Sequence, residues 1–319
     1  MRPSFEVTPR SARLLSEIER RIGRHEGALR APVSPMLRRS LRVRTIQASL
    51  QIEGNTLTEE QVTVVLEGRR VSAPERDLRE VRNAIACYEK LPKWAPGNAK
   101  HLLAAHKVMM AGLVKQPGAW RSKGIGIAKG DQIAHIAPPA ARVPGLMETL
   151  LKWVHTDTEV PAPIRAAVCH YEMEFIHPFE DGNGRMGRLW HSLILQRYHP
   201  LFVQVPVESA IRDRQADYYA VLGQCDNAGK STAFIEFALE LTLEALKRVV
   251  TSRQPRMTSA SRIEAARHHF AKASFTRKDY LHHFPGLSPA TASRDLQEAV
   301  SNCRLQREGD KATAKYRFA

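Results

Sequence analysis

Apolar residues recur at helical spacing through most of the chain, and only one short stretch alternates as a strand would. Thr58 opens a capping-box pattern with Gln61 and leads into Val62, Val65 and Leu66, so a helix starts there. The pattern predicts helices from Pro74 to Leu91 and from Asn98 to Met110, with Lys93 to Gly97 as the loop between them. Helical spacing returns at Val143 to His155, Ala162 to Phe175, Leu189 to Tyr198 and Asp213 to Asp226. A long amphipathic helix from Phe234 to Val250 closes this run. Gly124 to Ala128, the turn Lys129-Gly130-Asp131, and Gln132 to Ile136 before Pro138-Pro139 read as a β-hairpin. The expected fold class is mainly α with one short hairpin.

A composition break from Thr251 to Arg256 predicts a linker. Beyond it the pattern gives helices over Ser259 to Ala273 and Thr276 to Phe284, a turn at Gly286, and a third helix capped by Ser288 with Pro289 in its first turn. Ala292, Leu296, Ala299 and Val300 form the buried stripe of that helix, which leaves Arg294, Gln297 and Ser301 outward. Cys303 to Glu308, Gly309-Asp310 and Ala312 to Phe318 read as a two-stranded wing. The resulting division is an N-terminal helical region over 1–95, a central domain over 96–250 and a small module over 256–319.

The net charge of +15 and an isoelectric point of about 10.0 point to an anionic partner. The first 45 residues hold eleven Arg against four Glu, and this arm is expected to be a solvated, partly helical surface. From Arg256 onward twelve basic residues face six acidic ones, a net of +6 that suits phosphate contacts. The cysteines, Cys87, Cys169, Cys225 and Cys303, lack the spacing of a zinc site or a disulfide framework. With no apolar run near the ~20 residues that span a bilayer, and no apolar signal-peptide core, a cytoplasmic protein with no membrane partner is expected.

The densest chemistry lies between His177 and Arg188, which read His-Pro-Phe-Glu-Asp-Gly-Asn-Gly-Arg-Met-Gly-Arg. Asp181 to Gly184 are expected to break regular helix, which resumes near Arg185. A loop entering a helix N-terminus aims backbone N–H groups outward and seats phosphate oxygens. Arg185 and Arg188, three apart, can reach the same anion. His177, with an ordinary pKa of about 6.5, suits proton acceptance from a hydroxyl at neutral pH. Asp181 is a hard oxygen donor suited to Mg²⁺ beside substrate phosphates. Phe179 reads as an apolar anchor.

These residues match every fixed position of the Fic signature His-x-Phe-x-(Asp/Glu)-Gly-Asn-Gly-Arg-x-x-Arg, and the chain resembles that family. The resemblance implies a helical domain that transfers AMP from ATP to a Ser, Thr or Tyr hydroxyl of a protein. It implies His177 as general base, Asp181 as the Mg²⁺ ligand, Gly182, Asn183 and Gly184 as the anion hole, and Arg185 and Arg188 as phosphate holders. Upstream, Ser49-Leu-Gln-Ile-Glu53-Gly54 resembles the family's inhibitory motif (Ser/Thr)-x-x-x-Glu-(Gly/Asn), within a helix around 45–54. A carboxylate delivered by Glu53 to Arg188 would exclude a productive ATP pose.

The resemblance also places the hairpin as a flap for the target segment, with Ile136 and Ala137 near the nucleotide and Tyr219 lining its pocket. The family's Asn at a later position is Asp226 here. The module over 256–319 resembles winged helix-turn-helix domains, which implies Arg294 and Gln297 on base edges and Lys311, Lys315 and Arg317 on DNA phosphates. Protein docking or dimerisation is the alternative for that module. For the whole chain the alternatives are a DNA-binding regulator whose Fic domain senses nucleotide or is inactive, and an enzyme that removes AMP with Glu53 orienting water. The target protein, which includes the chain itself as a candidate, and the homodimer stay open.

Overall fold

The computed structural model describes residues 3–28, 35–124, 126–129, 132–251, 258–271, 273–309 and 314–318. The chain divides into two compact units, Met1–His25 with Leu37–Val249, and Glu26–Met36 with Val250–Ala319. The first unit contains α1 (Pro9–Ala28), α2 (Pro35–Ile52), α3 (Glu59–Leu66), α4 (Glu75–Lys90) and α5 (Ala99–Met109). The hairpin β1 (Gly126–Lys129) and β2 (Gln132–Ile136) follows. Then come α6 (Val143–Thr156), α7 (Ala162–Ile176), α8 (Asn183–Tyr198), α9 (Val207–Asp213), α10 (Gln215–Ala228) and α11 (Thr232–Thr251). The fold is mainly α, as the periodicity predicts.

One apolar core runs through this unit from Ile18 to Leu246. At its centre is α8, buried on all sides from Arg185 to Leu195 and packed along α7. From Arg185 to Leu195 no residue of α8 faces solvent, so its two signature arginines lie in the interior. The capping box expected at Thr58 is present, with Gln61 N–H donating to Thr58 Oγ1 at 3.3 Å and Thr58 N–H to Gln61 Oε1 at 2.9 Å. The β1–β2 pair is antiparallel with a register shift between Ile127 and Ala128.

Several expectations are corrected. The arginine-rich arm is not merely a solvated surface, because α1 and α2 bury Ile18, Ile22, Val43 and Ile46 in the core while their arginines take the outer faces. Thr8 Oγ1 bonds Glu236 at 2.5 Å, and Ser231 N–H donates to Ser4 O at 2.9 Å, so the arm is also hydrogen-bonded to α11. The helix expected over Asp213 to Asp226 is α10, two residues further on, and Arg214, whose backbone leaves the helical region at φ −125° and ψ 38°, separates it from α9, a helix the spacing did not predict. Among the described residues no helix is long and apolar enough to cross a membrane.

The second unit has α12 (Ser259–Phe270), β3 (Phe275–Thr276), α13 (Arg277–His283), α14 (Pro289–Ser301), β4 (Leu305–Glu308) and β5 (Lys315–Phe318). Ser288 caps α14, accepting Thr291 N–H at 3.1 Å. The expected two-stranded wing is a three-stranded antiparallel sheet in the order β3-β5-β4, because Phe275 and Thr276 pair with Tyr316 and Lys315. Its core holds Ile263, Phe275, Tyr280, Ala292, Leu296 and Ala299. Asp295 lies inside, held by Arg262 at 2.7 Å and Tyr280 at 3.2 Å.

Truncating Ile18 to Ala should destabilise the chain by about 3 kcal/mol through a buried cavity. A urea-unfolding midpoint unchanged from the parent would show that α1 is not part of the core.

Candidate active site

The loop that joins α7 to α8 is shaped by side chains far from it in sequence. His177 ends α7 in the left-handed region, φ 50° and ψ 61°, and its N–H still bonds Met173 O at 3.0 Å. A non-glycine residue holds that conformation only where its surroundings impose it. Arg121 supplies that constraint. Its Nε donates to His177 O at 2.7 Å, its Nη2 to Ile176 O at 3.3 Å, and its Nη1 to Lys123 O at 2.8 Å. The Arg121 N–H bonds Pro178 O at 2.9 Å, and Nη2 also reaches Pro138 O beside the buried Ala137. One guanidinium thus ties the loop to both ends of the hairpin. His177 Nδ1 lies 3.3 Å from Glu174 O.

His106 braces the loop from the other side. Its Nδ1 accepts Gly118 N–H at 2.8 Å, which leaves the ring proton on Nε2 to donate to Asp181 O at 3.0 Å. Its ring stacks on Phe179 at 3.7 Å, and Trp120 stacks on the same anchor at 5.2 Å. Gly182 is in the left-handed region at φ 85°, and a β-carbon there would meet Met110 Sδ at 2.7 Å. Helix starts at Asn183, two residues before the expected Arg185. Asn183 makes this early start by bonding back through its side chain, accepting Phe179 N–H at 2.9 Å and donating to Phe179 O at 3.0 Å. The side chain of Asn183 is thereby spent on the loop. The N–H groups of Asn183, Gly184 and Arg185 precede the first intrahelical donor of α8, Met186, whose N–H reaches Gly182 O.

Ser49 and Glu53 come to this helix terminus from α2. Gly54, at φ 89°, ends α2 in a Schellman turn, with Asn55 N–H on Leu50 O at 3.1 Å and Gly54 N–H on Gln51 O at 3.0 Å. Arg188, 1 % exposed, donates Nη2 to Glu53 Oε1 at 2.6 Å and to Ser49 O at 3.0 Å, and Nε to Ser49 Oγ at 3.2 Å. Burial opposes the charge on Arg188, and the adjacent Glu53 carboxylate, with Tyr218 and Glu174 nearby, more than offsets it, so the guanidinium is held above its ordinary range. Ile52 O accepts Gln215 Nε2 at 2.9 Å and Tyr219 Oη at 3.5 Å, which fixes the end of α2 on α10. Tyr219 is 42 % exposed, whereas Tyr218 is buried.

Two further residues belong here that the sequence did not single out. Asn55, just past the turn, donates to Glu80 Oε2 at 2.9 Å, and Glu80 Oε1 accepts Arg185 Nη1 at 3.3 Å. Arg185 Nη2 reaches Asp181 Oδ1 at 3.1 Å. Each signature arginine therefore meets a carboxylate from the N-terminal helices. Glu80 carried no local signal because a lone acid on an amphipathic helix normally faces water. Asp181 keeps its side chain 41 % exposed, with Arg76 3.8 Å from Oδ2. Among the described residues no cluster of three or more His, Cys, Asp or Glu could hold a metal ion. A single half-exposed carboxylate nonetheless fits Mg²⁺, which takes one or two carboxylates when substrate phosphates complete its shell.

Tyr171 donates to Asp226 at 3.0 Å. The backbone of Ile136 ends β2, and its side chain lies outside the described residues, as does all of Lys311. In the second unit Arg294 and Gln297 are exposed on α14, and Lys315 and Arg317 on β5.

Residues 96–195 match the Fic/DOC family. A crystal structure of a Fic family protein from Desulfovibrio desulfuricans G20 is 41 % identical, spans 100 % of this chain and 98 % of its own, and superposes with a TM-score of 0.76. The chain belongs to the Fic family. Fic-1 of C. elegans shares the fold over 75 % of the chain and 72 % of its own at 22 % identity and a TM-score of 0.60. The protein adenylyltransferases Fic of Nematostella vectensis and Drosophila melanogaster are each 27 % identical, over 62 % and 63 % of this chain. The chain spans only 46 % and 40 % of the length of these curated relatives.

Three imidazoles in and behind the site are buried and neutral. Burial lowers His106 to about 4 and His170 to about 3, and it pushes His191 well below its ordinary value. Each titrates lower when folded, so the unfolded chain takes up protons that the folded chain refuses. The stability these three contribute is full above pH about 6.5 and is lost as pH falls toward 4.5; Glu172, raised by burial to about 7, offsets part of it, and the net loss should be about 3 kcal/mol or more. Urea unfolding across that range checks this, and a flat profile would contradict it.

Proposed function

We propose that the chain is a self-inhibited protein adenylyltransferase, which moves AMP from ATP to a Ser, Thr or Tyr hydroxyl of a protein. The observation that carries this reading is the 2.6 Å pair between Glu53 and the buried Arg188, at the N-terminus of a helix opened by a complete Fic loop. Its family membership and the names of its relatives support the reaction type. The hydroxyl oxygen bonds the α-phosphorus as the bond to pyrophosphate breaks, and His177 takes the hydroxyl proton. The N–H groups of Asn183 and Gly184, with Arg185 and Arg188, stabilise charge on the phosphate oxygens. Asp181 would hold Mg²⁺, which when bound neutralises charge between adjacent phosphates.

Glu53 acts as the inhibitor by occupying the guanidinium that the terminal phosphate needs, so basal transfer is low. Tyr219, Ile136 and Ala137 border the nucleotide in this reading, and the hairpin presents the target by main-chain pairing. The second unit serves as a winged helix-turn-helix module. Exposed Arg294 and Gln297 on one helix, with Lys315 and Arg317 on the adjoining strand, favour DNA as its partner.

Incubation with α-labelled ATP and Mg²⁺ tests the catalytic reading. Faint self-labelling is expected for the parent, an increase of about tenfold or more for Glu53→Gly, and none for His177→Ala. Equal labelling in all three would remove it.

A further inference from the structure

Glu174 is a carboxylate without a role in the scheme above, yet it stands beside the cradle. It lies in the last turn of α7 with its side chain 15 % exposed. Its Oε1 accepts the buried Tyr218 hydroxyl at 3.0 Å. Tyr218 Oη lies 3.1 Å from His170 Nε2, and His170 Nδ1 lies 3.4 Å from His191 Nδ1. With Tyr218 donating to Glu174, His170 must donate from Nε2, and His191 from Nδ1. The carboxylate is thus held by a buried chain of neutral groups and does not swing as a free side chain would.

The bare face of Gly184 shows what it confronts. A β-carbon there would lie 2.5 Å from Glu53 Oε1, 3.0 Å from Arg188 Nη1 and 3.4 Å from Glu174 Oε1. The same Glu174 oxygen is 3.4 Å from the corresponding point on Gly187. Arg188 Nη1 is buried with no acceptor among the described residues. Two carboxylates and one guanidinium therefore converge on one spot, and the two acids differ in attachment. Glu53 sits just past the end of α2 with its side chain 30 % exposed, whereas Glu174 is pinned from inside.

We propose that Glu174 is a specificity-determining residue, a fixed negative charge that repels whichever anion occupies Arg188, either the Glu53 carboxylate or the terminal phosphate of a nucleotide. The proposal rests on the reading of this cradle as a nucleotide seat. Like charges brought together away from bulk water oppose each other strongly. Glu174 consequently loosens the Glu53 latch and lowers the preference of the released site for a triphosphate over a monophosphate.

Calorimetric titration of the full chain with ATP and with AMP, Mg²⁺ present, tests this. Glu174→Gln keeps an acceptor for the Tyr218 hydroxyl and removes only the charge. In the Glu53→Gly background it should tighten ATP binding about tenfold and leave AMP within about twofold. In the chain that retains Glu53 the gain in ATP affinity should be smaller, because the latch closes harder at the same time. An unchanged ratio of ATP to AMP affinity, or equal tightening of both, would overturn the proposal. Should Glu174→Gln lose its thermal transition, Glu174→Asp, which draws the charge back by one methylene, should give a smaller gain confined to ATP; no gain overturns the idea equally. Because binding is read directly, nucleotide that binds without being transferred would sink the catalytic reading and leave this one standing.

Discussion

A guanidinium cannot be carried to the centre of a helical core unless acceptors and a counter-charge travel there with it. Arg188 is in that position, and the acceptors it finds belong to Ser49 and Glu53, more than a hundred residues earlier. Taking such an ion from water costs several kcal/mol, and only a well-made pair with further hydrogen bonds offsets that. The first helices are therefore bound to α8 by charge as well as by the apolar contacts of Ile18, Val43 and Ile46. The pair assigned above to inhibition is also the one that makes a buried arginine tolerable.

A second constraint is rigidity of the loop. Arg121, His106 and Asn183 each direct their hydrogen bonds at backbone groups of the loop, where they fix conformation directly. The outcome is a histidine held in a left-handed conformation and a helix that begins two residues early. Geometry of this kind is prepared before any substrate arrives, and prepared geometry is what phosphoryl-group chemistry needs most from a protein.

Around the two signature arginines stand four acids. Arg185 lies between Glu80 and Asp181, and Arg188 pairs with Glu53 while Glu174 faces the same spot. Four acids outnumber the two guanidiniums they surround, and in the reading proposed above the cradle takes a polyanion once Glu53 withdraws. Asn55 bonds Glu80 directly after the Glu53 turn, so one short segment touches the counter-charges of both arginines.

The sequence by itself determined the mainly helical class, the hairpin, the capped helices at Thr58 and Ser288, and the family, because these follow from local spacing or from one contiguous motif. It also pointed to Ser49 and Glu53 through a short pattern. Only the tertiary structure decided that the apolar face of the arginine-rich arm joins the core, that Arg214 separates α9 from α10, and that Arg121, His106, Glu80 and Glu174 surround the loop. These residues act across long separations and on backbone atoms, and such contacts leave no periodicity or spacing in the chain to be read. A buried charge is legible only once its partner is in place, and folding is what puts it there.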